Sequence, residues 1–252
     1  MLAIKYCLSI LLFLFLSVNC HSIDFDRVNL NSKEGIRRFE RSKYRGDFFS
    51  LISYYSPQQH ATECGLASAR IVLNKLYRVN SIETPLIGER SFSSKKRDID
   101  YQYHLITEEN ILDKVNDFPT RADIRGAGVK KDDYIGIDVF DMPKLFRSHG
   151  FFSEYYSFKK NPNDFDIKTL ISKLKMILNN EHIFIIGFFN KHISPIVAYD
   201  QVSNSVLILD VEQHNSEFHW VSLKKMVQDM STLECYGYVL IYDKTFNNRL
   251  AF

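Results

Sequence analysis

Three residues with complementary chemistry, Cys64, His192 and Asp210, occur in that order along a chain of 252 residues. A thiol acts as a nucleophile when an imidazole takes its proton and a carboxylate orients that imidazole. Gln58 precedes the thiol by six residues, and its side-chain amide can join the backbone N–H of Cys64 as an oxyanion hole. Gln59 is the competing candidate for that role. The pattern predicts a cysteine enzyme that acts on acyl groups.

The thiol is expected at the beginning of a helix. Apolar residues recur after Gly65 at three- and four-residue intervals, which predicts a helix buried on one face with Cys64 in its first turn. Unpaired N–H groups and the positive end of the helix dipole favour a thiolate at that position. The apolar positions are Leu66, Ala69, Leu73 and Leu76.

His192 and Asp210 are expected on neighbouring strands. Two apolar, β-branched runs, 193–199 and 206–211, flank the polar turn 200–205, which is typical of a β-hairpin. Residues that pair across such a hairpin have numbers that sum to about 402 to 406. His192 then lies opposite or diagonal to Asp210 on one face of the sheet, within reach of its carboxylate.

The other segments complete an α+β prediction, with helices first and antiparallel strands last. The N-terminal arm 22–53 is expected to contain a short helix, and residues 91–134 are expected to form short helices and loops. The remaining expected elements are helices at 138–149, 167–178 and 222–230 and strands at 183–189 and 236–242.

Length and charge restrict the protein to one catalytic domain, 23–252, that does not bind nucleic acid. The net charge is only +2, without the basic surface that nucleic-acid binding requires. Residues 1–22 contain a basic start, an apolar core and small residues, which predicts a signal peptide and export to the periplasm or medium. No stable membrane anchor is expected after its removal; a retained anchor is the alternative.

Export affects the interpretation of the cysteines. Cys7 and Cys20 leave with the signal peptide, so the mature chain retains Cys64 and Cys235. In an oxidising compartment these two thiols could instead form a disulfide. A free catalytic Cys64 is the preferred interpretation because the residues around it are chemically specific.

Two blocks of sequence resemble the phytochelatin synthase family. Residues 58–68, with 72–76, look like that family's nucleophile helix, and residues 192–200, followed by 206–211 and Trp220-Val221, are similar to its histidine and aspartate block. The resemblance covers nearly all of the mature chain.

This resemblance implies a papain-like fold and a thiol acyl transfer on glutathione. Cys64 would attack the carbonyl between the cysteine and the glycine of the tripeptide, release glycine and pass the γ-glutamylcysteinyl group to water or to another glutathione. No tightly bound cofactor is implied. Cd²⁺, Zn²⁺ or Cu⁺ would enter as glutathione thiolate complexes, because soft thiolates hold these ions.

Three departures from the family pattern affect the substrate site. Lys191 occupies the position of a glycine before the histidine, Tyr236 replaces an arginine, and residues 212–219 replace a Tyr- and Pro-rich segment. We therefore expect hydrolysis to γ-glutamylcysteine to be favoured over synthesis of phytochelatins.

Other interpretations remain open. The chain could be another papain-like cysteine peptidase, similar to the bacteriocin-leader peptidases of export transporters, or an exported binding protein without turnover. A polar segment with four potential metal ligands lacks a familiar zinc spacing, and we expect it to be a solvated loop without an intrinsic metal site. These potential ligands are Glu212, His214, Glu217 and His219.

Overall fold

The computed structural model describes residues 27–82, 86–94, 97–126, 136–160, 162–180, 182–189, 191–212, 218–232 and 236–243. Its helices are α1 (Lys33–Arg41), α2 (Gly46–Ile52), α3 (Cys64–Val79), α4 (Arg121–Ile124), α5 (Met142–Ser148), α6 (Asp164–Ile177) and α7 (Leu223–Met230). Its strands are β1 (Arg27–Asn29), β2 (Leu86–Ser94), β3 (Arg97–His104), β4 (Phe152–Tyr156), β5 (Ile183–Phe189), β6 (His192–Asp200), β7 (Ser205–Ile208), β8 (His219–Ser222) and β9 (Tyr238–Tyr242).

Seven strands form one antiparallel sheet in the order β1-β8-β7-β6-β5-β9-β4. The central strands β5, β6 and β7 are buried along almost their whole length, as their continuous apolar sequences require. Helices and an antiparallel sheet pack together in one core, so the predicted α+β class is confirmed.

Helix α3 packs against β6 and β5 at the centre of the molecule. The sequence predicts burial on one face, whereas 12 of the 16 residues are buried. Three of the buried residues are polar and have partners. Ser68 donates a hydrogen bond to the carbonyl of Ile193, Arg70 forms an ion pair with Glu108, and Asn74 makes two hydrogen bonds with the backbone of Ile106. Residues 105–108 therefore cover the side of the helix that was expected to face solvent.

Two regions differ from the sequence prediction. Residues 91–134 do not consist only of short helices and loops, because β2 and β3 form a two-stranded hairpin over 86–104. The N-terminal arm contributes β1 and two helices rather than one short helix. Its β1 joins the main sheet through β8, which is a pairing between distant segments that local periodicity does not reveal.

None of the helices in the described part of the chain has the length and hydropathy needed to cross a bilayer. The predicted signal peptide, residues 1–22, lies outside the described residues.

Candidate active site

Cys64 is the first residue of α3, as predicted, so the N-terminus of this helix lies in the candidate site. The N-cap residue Glu63 makes no side-chain hydrogen bond to the helix, so its side chain caps none of the N–H groups of the first turn. The thiol is free and half-buried, and Cys235 lies outside the described residues. Gly65 allows close packing here, because a Cβ at this position would lie 2.4 Å from Cγ1 of Ile137.

His192 lies between Cys64 and Asp210. Its Nε2 is 3.1 Å from Oδ1 of Asp210, an ion-pair contact without the angle of a hydrogen bond. Its ring also interacts with Cys64, and this interaction favours the protonated imidazole. Burial lowers the pKa of His192, but the contacts with Asp210 and Cys64 outweigh burial and raise this pKa to about 10. The imidazole is therefore protonated at neutral pH.

The β6–β7 hairpin brings His192 and Asp210 together. Tyr199 pairs with Val206, a register within the predicted range. Beyond the end of β7, the N–H of Leu209 donates to the carbonyl of Pro195 at 2.9 Å. This bond keeps the chain alongside β6 and places Asp210 beside the first residue of that strand.

The carboxylate of Asp210 is 4 % exposed and is surrounded by donors and cations. Oδ1 accepts a hydrogen bond from the N–H of Glu212 at 3.0 Å, and Oδ2 lies 3.6 Å from Nδ1 of His219 and 3.7 Å from a terminal nitrogen of Arg27. Burial raises the pKa of Asp210, but His192, the Glu212 N–H and His219 together hold it below its ordinary value. Asp210 is therefore a carboxylate at neutral pH.

The loop that carries Gln58 is attached to the strand end that carries Asp210. The N–H of Gln58 donates to the carbonyl of Val211 at 2.8 Å, and the hydroxyl of Tyr55 donates to the carbonyl of Asp210 at 2.8 Å. Arg70 of α3 donates to the carbonyl of Ser56 at 2.5 Å. These three bonds fix the loop against both the helix of the thiol and the strand end of the carboxylate.

The two glutamines before the thiol differ in their contacts. Gln58 is 4 % exposed and its Nε2 donates to the carbonyl of Ala61 at 3.1 Å, leaving the second hydrogen of the amide for another acceptor. Gln59 is exposed, and its Oε1 accepts a hydrogen bond from Arg121 at 3.0 Å. The structure therefore favours Gln58 over Gln59 as the candidate oxyanion donor.

A second charged cluster, absent from the sequence prediction, adjoins the thiol. Glu63 is fully buried, and its carboxylate accepts hydrogen bonds from Arg121 at 2.6 Å and Arg125 at 2.7 Å. Arg121 also contacts Glu109 at 2.9 Å. The cluster attaches the short helix α4 to the residue before Cys64, through contacts between segments about 60 residues apart in the chain.

Arg27 and His219 are the other residues that sequence reasoning missed. His219 was predicted in a solvated loop or, alternatively, as a metal ligand, yet it is 1 % exposed and faces Asp210. The one available signal was its place immediately before the buried Trp220. Among the described residues no group of three or more His, Cys, Asp and Glu side chains is arranged to hold a metal ion. His214 and Glu217 lie outside the described residues.

The positions that depart from the family pattern have distinct conformations. Lys191 has φ = 63°, in the left-handed region that favours glycine. The ring of Tyr236 stacks on Phe188 of β5, with the ring centroids 3.7 Å apart. An apolar ring contact therefore occupies the position where the family has a charged guanidinium.

The chain is similar to known proteins over most of its length. The family model described as phytochelatin synthase matches residues 18–236. A curated relative, "Glutathione gamma-glutamylcysteinyltransferase 1" from Arabidopsis thaliana, is 27% identical over 217 residues, which are 82% of this chain and 39% of that relative. The chain thus spans well under half the length of this relative. The family match extends over both the thiol and the His–Asp hairpin, and the chain belongs to the phytochelatin synthase family.

Proposed function

We propose that this protein is a thiol acyltransferase that cleaves the Cys-Gly bond of glutathione, with Cys64 as nucleophile, His192 as base and acid, and Asp210 as the group that orients His192. The observation that carries this proposal is the contact series from the free thiol of Cys64 through His192 to the ionised Asp210. Membership of the phytochelatin synthase family gives the substrate class. We also propose that the fold is papain-like.

The reaction begins with the protonated His192 beside the sulfur of Cys64. The sulfur attacks the carbonyl carbon of the cysteinyl residue, and the oxyanion formed accepts hydrogen bonds from Gln58 and from the N–H of Cys64. His192 gives its proton to the nitrogen of glycine as the C–N bond breaks. Glycine leaves, and a γ-glutamylcysteinyl thioester remains on the sulfur.

The second half of the reaction uses the same groups in reverse. His192, now neutral, takes a proton from water or from the α-amino group of a second glutathione as that nucleophile attacks the thioester. The sulfur of Cys64 is the leaving group. Water gives γ-glutamylcysteine, and glutathione gives a phytochelatin.

We propose that hydrolysis is faster than transfer in this protein. Tyr236 stacks on Phe188 and provides no positive charge for a substrate carboxylate, whereas water needs no acceptor site. Loss of binding energy for the second glutathione lowers the rate of transfer without affecting attack by water.

Metal ions enter this proposal only as part of the substrate. Cd²⁺, Zn²⁺ and Cu⁺ bind thiolates and would arrive as glutathione complexes, with no tightly bound cofactor on the protein. We further propose that residues 1–22 direct export and that the mature protein is periplasmic or secreted, without a membrane anchor and without nucleic acid as a partner. N-terminal sequencing of the exported protein tests the cleavage.

The function is tested by incubating the mature protein with glutathione, with and without Cd²⁺, and identifying the products by mass. We expect glycine and γ-glutamylcysteine as the main products and only short phytochelatins in small amounts. Cys64→Ala is the control and should give neither product. Efficient synthesis of long phytochelatins would contradict the preference for hydrolysis. Absence of glycine release under every condition would show that glutathione is not the substrate and would favour another peptide.

A further inference from the structure

The two oxygens of the Asp210 carboxylate have different surroundings. Oδ1 faces Nε2 of His192 at 3.1 Å and accepts the N–H of Glu212 at 3.0 Å. Oδ2 faces a terminal nitrogen of Arg27 at 3.7 Å and Nδ1 of His219 at 3.6 Å. One oxygen therefore contacts the imidazole of His192, and the other faces two basic side chains that take no part in the proposed reaction.

The sheet places both basic side chains beside Asp210. Arg27 begins β1 and His219 begins β8, and these two strands pair with each other. Strand β8 also pairs with β7, where His219 lies opposite Ile208, two residues before Asp210. The register of three strands thus fixes the distance between Oδ2 and its two basic neighbours.

Burial strengthens the contact of Asp210 with His219 more than its contact with Arg27, whose side chain is 25% exposed. Asp210 is 4 % exposed and His219 is 1 % exposed, and the carboxylate borders a small cavity of about 50 Å³ that Ser194 and Phe189 also line. Charges in such a site are less screened than charges in water. An Asp carboxylate rotates readily about its last torsion because that torsion is broad and two-fold, so contacts on Oδ2 restrict this rotation and keep the other oxygen directed at His192.

We propose that Arg27 and His219 are positioning residues: they hold Oδ2 of Asp210, so that Oδ1 stays directed at His192. This inference rests on the proposed role of Asp210 in the function above. The other groups that face Asp210 are Tyr55, whose hydroxyl bonds to its carbonyl, and Glu212, whose N–H bonds to Oδ1. His219 also favours the ionised carboxylate and lowers the pKa of Asp210.

The first test removes the charge of Arg27. Arg27→Met should lower kcat for glycine release by about tenfold with KM within about twofold, as expected of a residue that acts through Asp210 rather than by binding substrate. The acid limb of the kcat profile should move up by about one pH unit, since an opposite charge within about 4–6 Å lowers a carboxyl pKa by about 1–3. Arg27→Lys, which keeps the charge, should recover most of kcat.

The second test removes the imidazole of His219. His219→Phe keeps a ring and removes the N–H, whereas His219→Gln keeps a donor. We expect the Phe variant to show the same pH shift as Arg27→Met and the Gln variant to show a smaller one. Arg37→Met, on the exposed side of α1, is the matched control and should change neither kcat nor the pH profile. Thermal unfolding of each variant checks that it is folded.

Alkylation of Cys64 by iodoacetamide separates this inference from the proposed function. The reaction needs no glutathione, and its pH profile should move in Arg27→Met and His219→Phe as the kcat profile does. If the wild-type protein alkylates normally but does not cleave glutathione, the proposed function fails and the positioning role is still tested. Unchanged alkylation profiles in the folded Met and Phe variants, or a Lys variant as impaired as the Met variant, would overturn the positioning role.

Discussion

Two buried carboxylates are linked to Cys64, Glu63 through the chain and Asp210 through His192, and their partners differ in kind. Glu63 accepts hydrogen bonds from two arginines at 2.6 and 2.7 Å, and guanidinium groups do not lose their charge in proteins. The closest cationic partner of Asp210 is His192 at 3.1 Å, and a histidine changes charge when it transfers a proton.

This difference indicates that Glu63 has a structural role and that Asp210 has a catalytic role. Two guanidiniums keep their charge and cannot exchange a proton with the carboxylate between them, so Glu63 has a structural role and joins α4 to the start of α3. A carboxylate whose partner titrates can support the movement of a proton, as Asp210 does in the proposed reaction. Changes at Asp210 should therefore affect the rate first, and changes at Glu63 should affect stability first.

The largest effect is expected from Asp210→Ala. Without the carboxylate, His192 loses the contact that orients it and raises its pKa, so kcat for glycine release should fall by about 10²-fold or more. Steady-state kinetics with glutathione measure this change. A kcat within about threefold of wild type in a folded Asp210→Ala protein would contradict the catalytic assignment of this carboxylate.

The two neighbouring glutamines extend the comparison, because Gln58 is bonded to Val211 beside Asp210 and Gln59 belongs to the Arg121 cluster. Gln58→Ala should lower kcat by about 10²-fold through loss of an oxyanion donor. Gln59→Ala is the matched control and should leave kcat within about twofold of wild type, since Gln59 is exposed. Equal effects of the two substitutions on kcat would remove the reason for assigning the oxyanion donor to Gln58.

Glu63→Gln tests the structural side of the comparison. The change leaves Arg121 and Arg125 without their shared anion and should lower the free energy of unfolding by about 2 kcal/mol. This is less than the 3–5 kcal/mol of fully buried pairs, because Arg121 and Arg125 reach solvent. We expect kcat within about fivefold of wild type, since Glu63 does not contact His192 or Asp210 in the described contacts. Urea denaturation and kinetics on the same preparation compare the two effects; a large loss of kcat with unchanged stability would reverse the assignment.

The pKa shifts of Glu63 and His192 predict how the stability of the protein depends on pH. Burial raises the pKa of Glu63, but its two arginines outweigh burial and lower it, so its stabilisation is present above the ordinary value of 4.5 and is lost as pH falls through the lower folded value. His192 has a raised pKa, so its stabilisation is complete below 6.5 and is lost as pH rises toward about 10. Urea denaturation from pH 3 to pH 10 should therefore show a weaker acid decline in Glu63→Gln and a weaker alkaline decline in His192→Ala. If the stability of both variants depends on pH as that of the wild-type protein does, Glu63 and His192 are not the cause of this dependence.

The sequence was informative where structure is local. The range 183–189 of β5 was predicted to the residue, and the hairpin register that brings His192 beside Asp210 was predicted within its stated range. Apolar, β-branched runs separated by polar turn residues indicate such strands and hairpins within a segment of about 20 residues. The first turn of α3 and the place of Cys64 were likewise visible from helical spacing.

The contacts that hold the triad and the thiol were not predictable in the same way. Arg27 reaches Asp210 through pairing of β1 with β8 across about 190 residues of chain, and Arg121 and Arg125 reach Glu63 across about 60. No periodic pattern encodes these partners, because they depend on which distant segments pair. A buried Glu63 beside the nucleophile could have been suspected, since a buried carboxylate requires cations.

The central claim is that the sulfur of Cys64 carries the γ-glutamylcysteinyl group. Rapid acid quenching of the mature protein with glutathione, followed by peptide mapping by mass spectrometry, measures this directly. The account predicts a γ-glutamylcysteinyl thioester on Cys64, formed with one equivalent of glycine per enzyme and absent in Cys64→Ala. Turnover of glutathione with no adduct on Cys64, or with the adduct on another residue, would contradict it.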